Sequence, residues 1–261
     1  MLKLATLLLC FGVPLFVFSQ SDSAGYSPVQ TKYSFDWGNN STSIRLSQYG
    51  SSTKTVMIHL HDDETASDKA AEVMLRKTGG LLIEVENNGK RLMSFKKSGR
   101  WFLFDPNRIF TNTGLKKNLR LLNSHVTSAA ISSVKAFAAF ILQKIPDSLT
   151  SFISLHNNEN GKYSIKSYTP LGSRAKDALK VHINPLRDPD NFFILTDTIL
   201  FRQLKQADFN VVLQNTKNAV DDGSLSIYLG RKNIIYVNVE AQKGRMRTQV
   251  NMLHALLNRL H

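Results

Sequence analysis

Short apolar runs bounded by Gly, Asn, Asp and Pro alternate along this chain with segments whose apolar residues recur every three to four positions. Residues 20–42 are rich in Ser, Asn and Gly and read as a loose lead-in, and "SIRLSQYG" alternates as a first strand would. "KTVMIHL" predicts a buried strand. "ASDKAAEVMLRKTGG" predicts a helix with Ala70, Val73 and Met74 on one face and Gly79–Gly80 as its stop. "LLIEV", an "NNG" turn and "KRLMSFK" read as a hairpin, followed by a strand in "GRWFLFD". A long Ala-rich helix, "VTSAAISSVKAFAAFILQKI", ends at Pro146, and the strand "LTSFISLH" runs into a histidine. The second half keeps the same alternation. It holds strand "NFFILTD", helix "DTILFRQLKQA", strands "FNVVLQ", "SLSIYLG" and "IIYVNVE", and a closing amphipathic helix, "MRTQVNMLHALLNRLH".

Strands and helices interleave with no repeat and no linker. The pattern predicts one α/β domain over residues 20–261, with a central mixed, mostly parallel sheet and helices on both faces. Such sheets bind ligands at the C-terminal ends of their strands. Three predicted strands end on residues with chemistry to offer: His61, His156 and Glu240.

The first 19 residues change the picture of where the chain works. Lys3, the apolar stretch "LATLLLCFGVPLFVF", and small residues at Val17 and Ser19 read as a secretory signal peptide. The run is too short for a span and is interrupted by Pro14. No later segment is long and apolar enough to cross a bilayer, so a secreted or periplasmic protein without a stable membrane span is expected after cleavage. Cys10, the single cysteine, lies inside the signal, which excludes a disulfide scaffold and thiol chemistry. The net charge of +13, from 33 basic and 20 acidic residues, suits polyanionic surroundings such as cell-wall polymers or acidic lipid surfaces. No aromatic–basic interleaving points to nucleic acid.

The stretch "HLHDDE", residues 59–64, concentrates metal-ligand chemistry at a strand end. Two readings compete. His59, His61 and Asp63 could act together in a two-metal hydrolase of the metallo-β-lactamase type, although Glu64 stands where that signature carries His. Alternatively His61 and Glu64 form H-x-x-E, which reaches one ion as the chain leaves the strand. A catalytic zinc takes three protein ligands and keeps one open position, and two His with one Glu is a known set. His156 could be the third ligand, and Glu240 a base for zinc-activated water.

The run "GRWFLFDPNRIF", residues 99–110, resembles a motif of the aspartoacylase and succinylglutamate desuccinylase group of the zinc-carboxypeptidase superfamily. Arg100, Trp101, Asp105, Asn107, Arg108 and Phe110 stand at the matching spacing. The order H-x-x-E, Arg and Asn-Arg, strand-end His, then Glu is likewise similar over roughly residues 55–241. The resemblance implies a carboxypeptidase-like fold and one zinc held by His61, Glu64 and His156. It implies Glu240 as general base and Arg100 as the group polarising the scissile carbonyl. Asn107 and Arg108 would clamp a substrate carboxylate. The implied substrate is a small peptide or acyl-amino acid with a free carboxylate, the cell wall being one source. The alternative is a non-catalytic carboxylate-binding protein on the same scaffold. Two features depart from the group: Asp62 and Asp63 in the middle of the first motif, and Pro106 in place of an apolar residue. None of Tyr163, Tyr168 and Tyr228 stands out as the mobile tyrosine of digestive carboxypeptidases. Asp62 and Asp63 are expected to support the ligands or cap the following helix, and His59 to point the same way as His61 from one step deeper.

Overall fold

The computed structural model describes residues 25–260; the signal-like residues 1–19 lie outside them. Nine strands form one sheet. β1 (Pro28–Asp36), β2 (Ser41–Tyr49), β3 (Thr55–His59) and β4 (Gly80–Glu86) come first, with helix α1 (Thr65–Thr78) between β3 and β4. A separate hairpin of β5 (Met93–Lys97) and β6 (Arg100–Phe104) leads into α2 (Asn112–Leu122) and α3 (Ser128–Leu142). β7 (Ser151–Asn158), β8 (Ala178–His182), β9 (Phe192–Leu195), α4 (Thr198–Gln206), β10 (Val211–Gln214), α5 (Leu225–Gly230), β11 (Ile235–Gln242) and α6 (Met246–Leu257) complete the chain.

The strand order is β1-β2-β4-β3-β7-β11-β9-β10-β8. β4, β3, β7 and β11 run parallel at the centre; antiparallel pairings bring in β2, β1, β9 and β8, and β10 runs parallel to β9. The expected mixed sheet, parallel in its core, is therefore present. Every residue of β7 is buried, as suits a strand with cover on both faces. Alternate side chains divide the core. Val56, Ile58, Ile83 and Phe152 pack with α2, α3 and α5, while Met57, Leu82, Ile153 and Val237 pack with α1, α4 and α6. Among the described residues no helix is long and apolar enough to cross a membrane.

Four local expectations change. "KRLMSFK" does not pair with β4, because β4 lies between β2 and β3 and has no free edge; its Met93–Lys97 pairs forward with β6. "SLSIYLG" is helix α5 rather than a strand. Six residues fit either period, and Leu225 and Leu229, four apart, both reach the core cluster under α3. The lead-in contains edge strand β1, in which Val29, Thr31, Tyr33 and Phe35 alternate with Gln30, Lys32, Ser34 and Asp36 although most of its side chains stay exposed. Helix α2 and strand β8 have no counterpart among the expected elements.

Candidate metal centre

The chain first fills the sheet's left side from β3 to β4, then crosses to β7 on the other side of β3. The strand order reverses between β3 and β7, and that is where a parallel sheet opens a crevice at its C-terminal edge. The β7–β11 register stacks Phe152 on Tyr236, Ser154 on Asn238 and His156 on Glu240, all on one face. Apolar pairs thus anchor the strands at one end, and the other end delivers a histidine and a carboxylate side by side.

His61 follows β3 and Glu64 precedes α1, so both ride on the turn facing this ladder. His61 Nδ1 lies 3.2 Å from His156 Nδ1 and 3.2 Å from Glu64 Oε1, and Glu64 Oε2 lies 3.2 Å from His156 Nδ1. Among the described residues these three form the one group of His, Cys, Asp or Glu side chains close enough to share an ion, and all three are buried. Ligand bonds of about 2.0–2.1 Å in a tetrahedron put donors about 3.3 Å apart, a spacing the two Nδ1 atoms match, while Glu64 offers one oxygen to each ring at the same distance.

Each donor is held from behind. His61 Nε2–H donates to Asp105 Oδ1 at 2.8 Å. His156 Nε2–H donates to Ser154 Oγ at 3.0 Å. Both rings therefore turn Nδ1 inward, the arrangement that orients ligating histidines. Glu64 Oε2 accepts the Asn157 backbone N–H at 3.0 Å, and Oε1 accepts from Arg91 Nη1. Burial opposes charge on His61, but its bonds to Asp105 and Glu64 outweigh this and raise its pKa to about 9. Burial pushes the Glu64 carboxyl up, yet His156 and His61 hold it well below the usual range. A bound cation would displace that His61 proton.

Glu240 lies 6 % exposed on the floor of a cavity of about 410 Å³, where its Oε1 accepts from Asn238 Nδ2 at 3.0 Å. Burial raises its pKa, countered by His156 and reinforced by Glu64. The cavity is also lined by the three donors, Arg91 and Arg108.

Other expected site residues lie elsewhere or act differently. Arg100 opens β6 at the exposed end of the hairpin and does not line the cavity. The arginine beside the donors is Arg91, in the segment between β4 and β5, which carries no motif of its own. Asn107 is almost fully buried, its Oδ1 accepts the Leu225 N–H at 3.2 Å, and its amide nitrogen is 3.2 Å from His156 Nε2. It is thus tied to α5, with its amide packed beside the His156 ring. Arg108 donates to the Asn107 carbonyl at 2.8 Å and lies 3.6 Å from Asp222.

His59 does not point with His61. β3 ends at His59, so the two-residue strand period does not extend to His61. His59 Nε2–H donates to the Glu64 carbonyl at 3.0 Å, and burial lowers its pKa. It acts as a neutral strut under the ligand turn. Asp62 accepts the Asn87 and Gly89 N–H groups, fixing the turn after β4. Asp63 approaches Lys243 at 4.0 Å, and neither aspartate caps α1, whose N-cap position is Glu64. Asp105, Ser154 and Asn157 are the supporting residues that the pattern alone did not assign.

No family model matches the chain, and no curated protein matches it. Among solved structures it is similar to thrombin activatable fibrinolysis inhibitor, with 11% identity, a TM-score of 0.49, and 91% of this chain and 68% of that one covered. An aspartoacylase family protein from Mesorhizobium loti gives 14% identity and a TM-score of 0.47 over 92% of this chain and 68% of that one. Murein-tripeptide amidase MpaA from Escherichia coli O157 gives 12% identity and a TM-score of 0.42 over 90% and 92% of the two chains.

Proposed function

We propose that this protein is an exported, single-zinc hydrolase that cleaves an amide bond, in a peptide or acyl-amino acid, beside a free carboxylate. The observation that carries this reading is the meeting of two Nδ1 atoms and a Glu64 carboxylate at mutual 3.2 Å spacings, with Glu240 in register beside His156. The donor set of two imidazoles and one carboxylate suits zinc, which when bound would supply Lewis acidity to the cavity beside Glu240.

The chain's own residues do the rest. Glu240 accepts a proton from the attacking water and passes it to the departing nitrogen. Arg91 donates to the carbonyl oxygen as negative charge develops there, the role that sequence resemblance placed on Arg100. Arg108 presents a guanidinium fork to the substrate carboxylate. Asp105 and Ser154 hold the two imidazoles in orientation, and His59 holds the turn bearing Glu64. The two-metal alternative lacks support, because His59 and Asp63 are engaged away from the donors. The binder alternative gives no role to an ionisable carboxyl buried at the cavity floor.

The test loads purified protein with zinc and incubates it with N-acyl amino acids, short peptides and cell-wall peptides, each also in amidated form. Elemental analysis is expected to find one zinc per chain, and mass spectrometry to find cleavage of the carboxylated forms. Two ions per chain, or zinc binding without cleavage of any panel member, would overturn the reading.

A further inference from the structure

Eleven of the 33 lysines and arginines, but only one of the 20 acidic residues, fall between Asn87 and Pro146. That acid, Asp105, is turned inward onto His61. These 60 residues therefore carry a net +10 of the chain's +13, and they build the β5–β6 hairpin, α2 and α3. The hairpin has two unlike faces. Phe95, Phe102 and Phe104 are buried, with Phe95 stacked on Trp37 at 4.6 Å and Phe104 edge-on to Phe137 at 6.0 Å.

Directly paired residues of an antiparallel ladder share a face. Ser94 pairs with Leu103 and Lys96 with Trp101, so these four side chains form the outer face. Trp101 is 62% exposed and Leu103 40%. Lys97 and Arg100 flank the turn at the tip. Asn123, just after α2, accepts the Leu103 N–H and donates to its carbonyl, each at 2.8 Å, which fastens α2 to the edge of β6. The exposed stripe of α2 is Lys116, Lys117, Arg120 and Leu121, with Leu121 81% exposed.

Arg91 and Arg108 face acids at the site, but a tryptophan and two leucines open to water beside Lys96, Lys97, Arg100, Lys116, Lys117 and Arg120 select one partner chemistry. A soluble polyanion satisfies the charge but gains nothing from Leu103 and Leu121. A second copy of the chain would set one basic face against another. An acidic bilayer satisfies both features: indole and leucine enter the interfacial region while lysines and arginines meet phosphate headgroups. We propose that the outer face of the β5–β6 hairpin, with the exposed stripe of α2, docks this protein peripherally on anionic phospholipid membranes. None of these side chains holds the metal, so the docking stands or falls independently of the hydrolase reading.

The test is co-sedimentation with large vesicles of phosphatidylcholine alone, or mixed in equal parts with phosphatidylglycerol. Trp37 is buried and Trp101 is the other tryptophan, so a blue shift on binding reports Trp101. Binding to the mixed vesicles, a blue shift, and weakening by salt are expected, with little binding to phosphatidylcholine alone. The pair Trp101→Ser and Leu103→Ser, and the pair Lys96→Gln and Lys97→Gln, should each lower the partition coefficient about tenfold or more while the thermal midpoint is kept. Three results would overturn the proposal. One is absence of binding to the mixed vesicles. Another is equal binding to inorganic polyphosphate with no blue shift and no loss in the Trp101 and Leu103 variants. The third is self-association without vesicles that those variants abolish.

Discussion

Replacing Glu240 by Gln separates the proposed base from the proposed metal ligands. Gln keeps the volume and an oxygen to accept the Asn238 Nδ2–H, so the β7–β11 ladder should be undisturbed. Glu240 is not one of the three donors, so zinc should remain at one per chain. What disappears is the proton acceptor beside His156. A positioned acid–base group contributes about 10²- to 10⁴-fold in rate, or about 3–5 kcal/mol of barrier, and kcat should fall by that amount with KM little changed. Stability gives a second readout. Burial raises the folded-state pKa of Glu240, so the fold favours its neutral form. That contribution is complete below the ordinary carboxylate range and is lost as pH rises through the folded pKa. Gln removes this loss, so the thermal midpoint of the metal-free variant relative to wild type should climb as pH rises towards neutral. Metal content by elemental analysis, single-turnover kinetics and calorimetry across pH test the three parts. Full activity in the variant would refute the assignment of the base. Loss of zinc would make Glu240 a ligand.

Asp105→Asn should weaken zinc binding about 10- to 100-fold in competition with a chelator, because it loosens the hold on His61 Nε2. Arg91→Ala should lower kcat about 10²- to 10³-fold, whereas Arg100→Ala, at the exposed hairpin end, should leave it unchanged; steady-state kinetics on both variants decides between geometry and motif spacing. Arg108→Ala should raise KM about 10- to 100-fold for substrates with a free carboxylate and leave their amidated forms unaffected. Equal losses on the two forms would make Arg108 a structural residue.

The reach of the sequence can be seen at particular residues. Strand ends marked His61 and His156 as candidates, because strand ends in a parallel sheet face one crevice, and the resemblance carried by residues 99–110 favoured the set with Glu64 over the set with His59 and Asp63. Glu240 was legible for the same reason, and parity along β7 and β11 puts it on the face of His156. The hairpin partner and helix α5 were not legible, whereas β1 was overlooked despite its alternation of Val29, Thr31, Tyr33 and Phe35. Pairing of β5 depends on whether β4 has a free edge, and six residues with Leu225 and Leu229 satisfy two periods at once. The arginine at the site escapes the sequence for a related reason. Motif spacing selects Arg100, which lies at the exposed turn end of β6, while the connection after β4 sets Arg91 beside Glu64. His59 is the clearest case of the division. Its chemical type and its distance from His61 are sequence properties, but which way it points depends on the residue where β3 stops. Composition and periodicity by themselves determined the α/β class, the basic charge and the strand ends that carry His61, His156 and Glu240, because these follow from local pattern. The tertiary structure decided which arginine meets the candidate ligands, which histidine braces their turn, and which face of the basic hairpin is left open, because those depend on which distant strands and helices had already taken the neighbouring space.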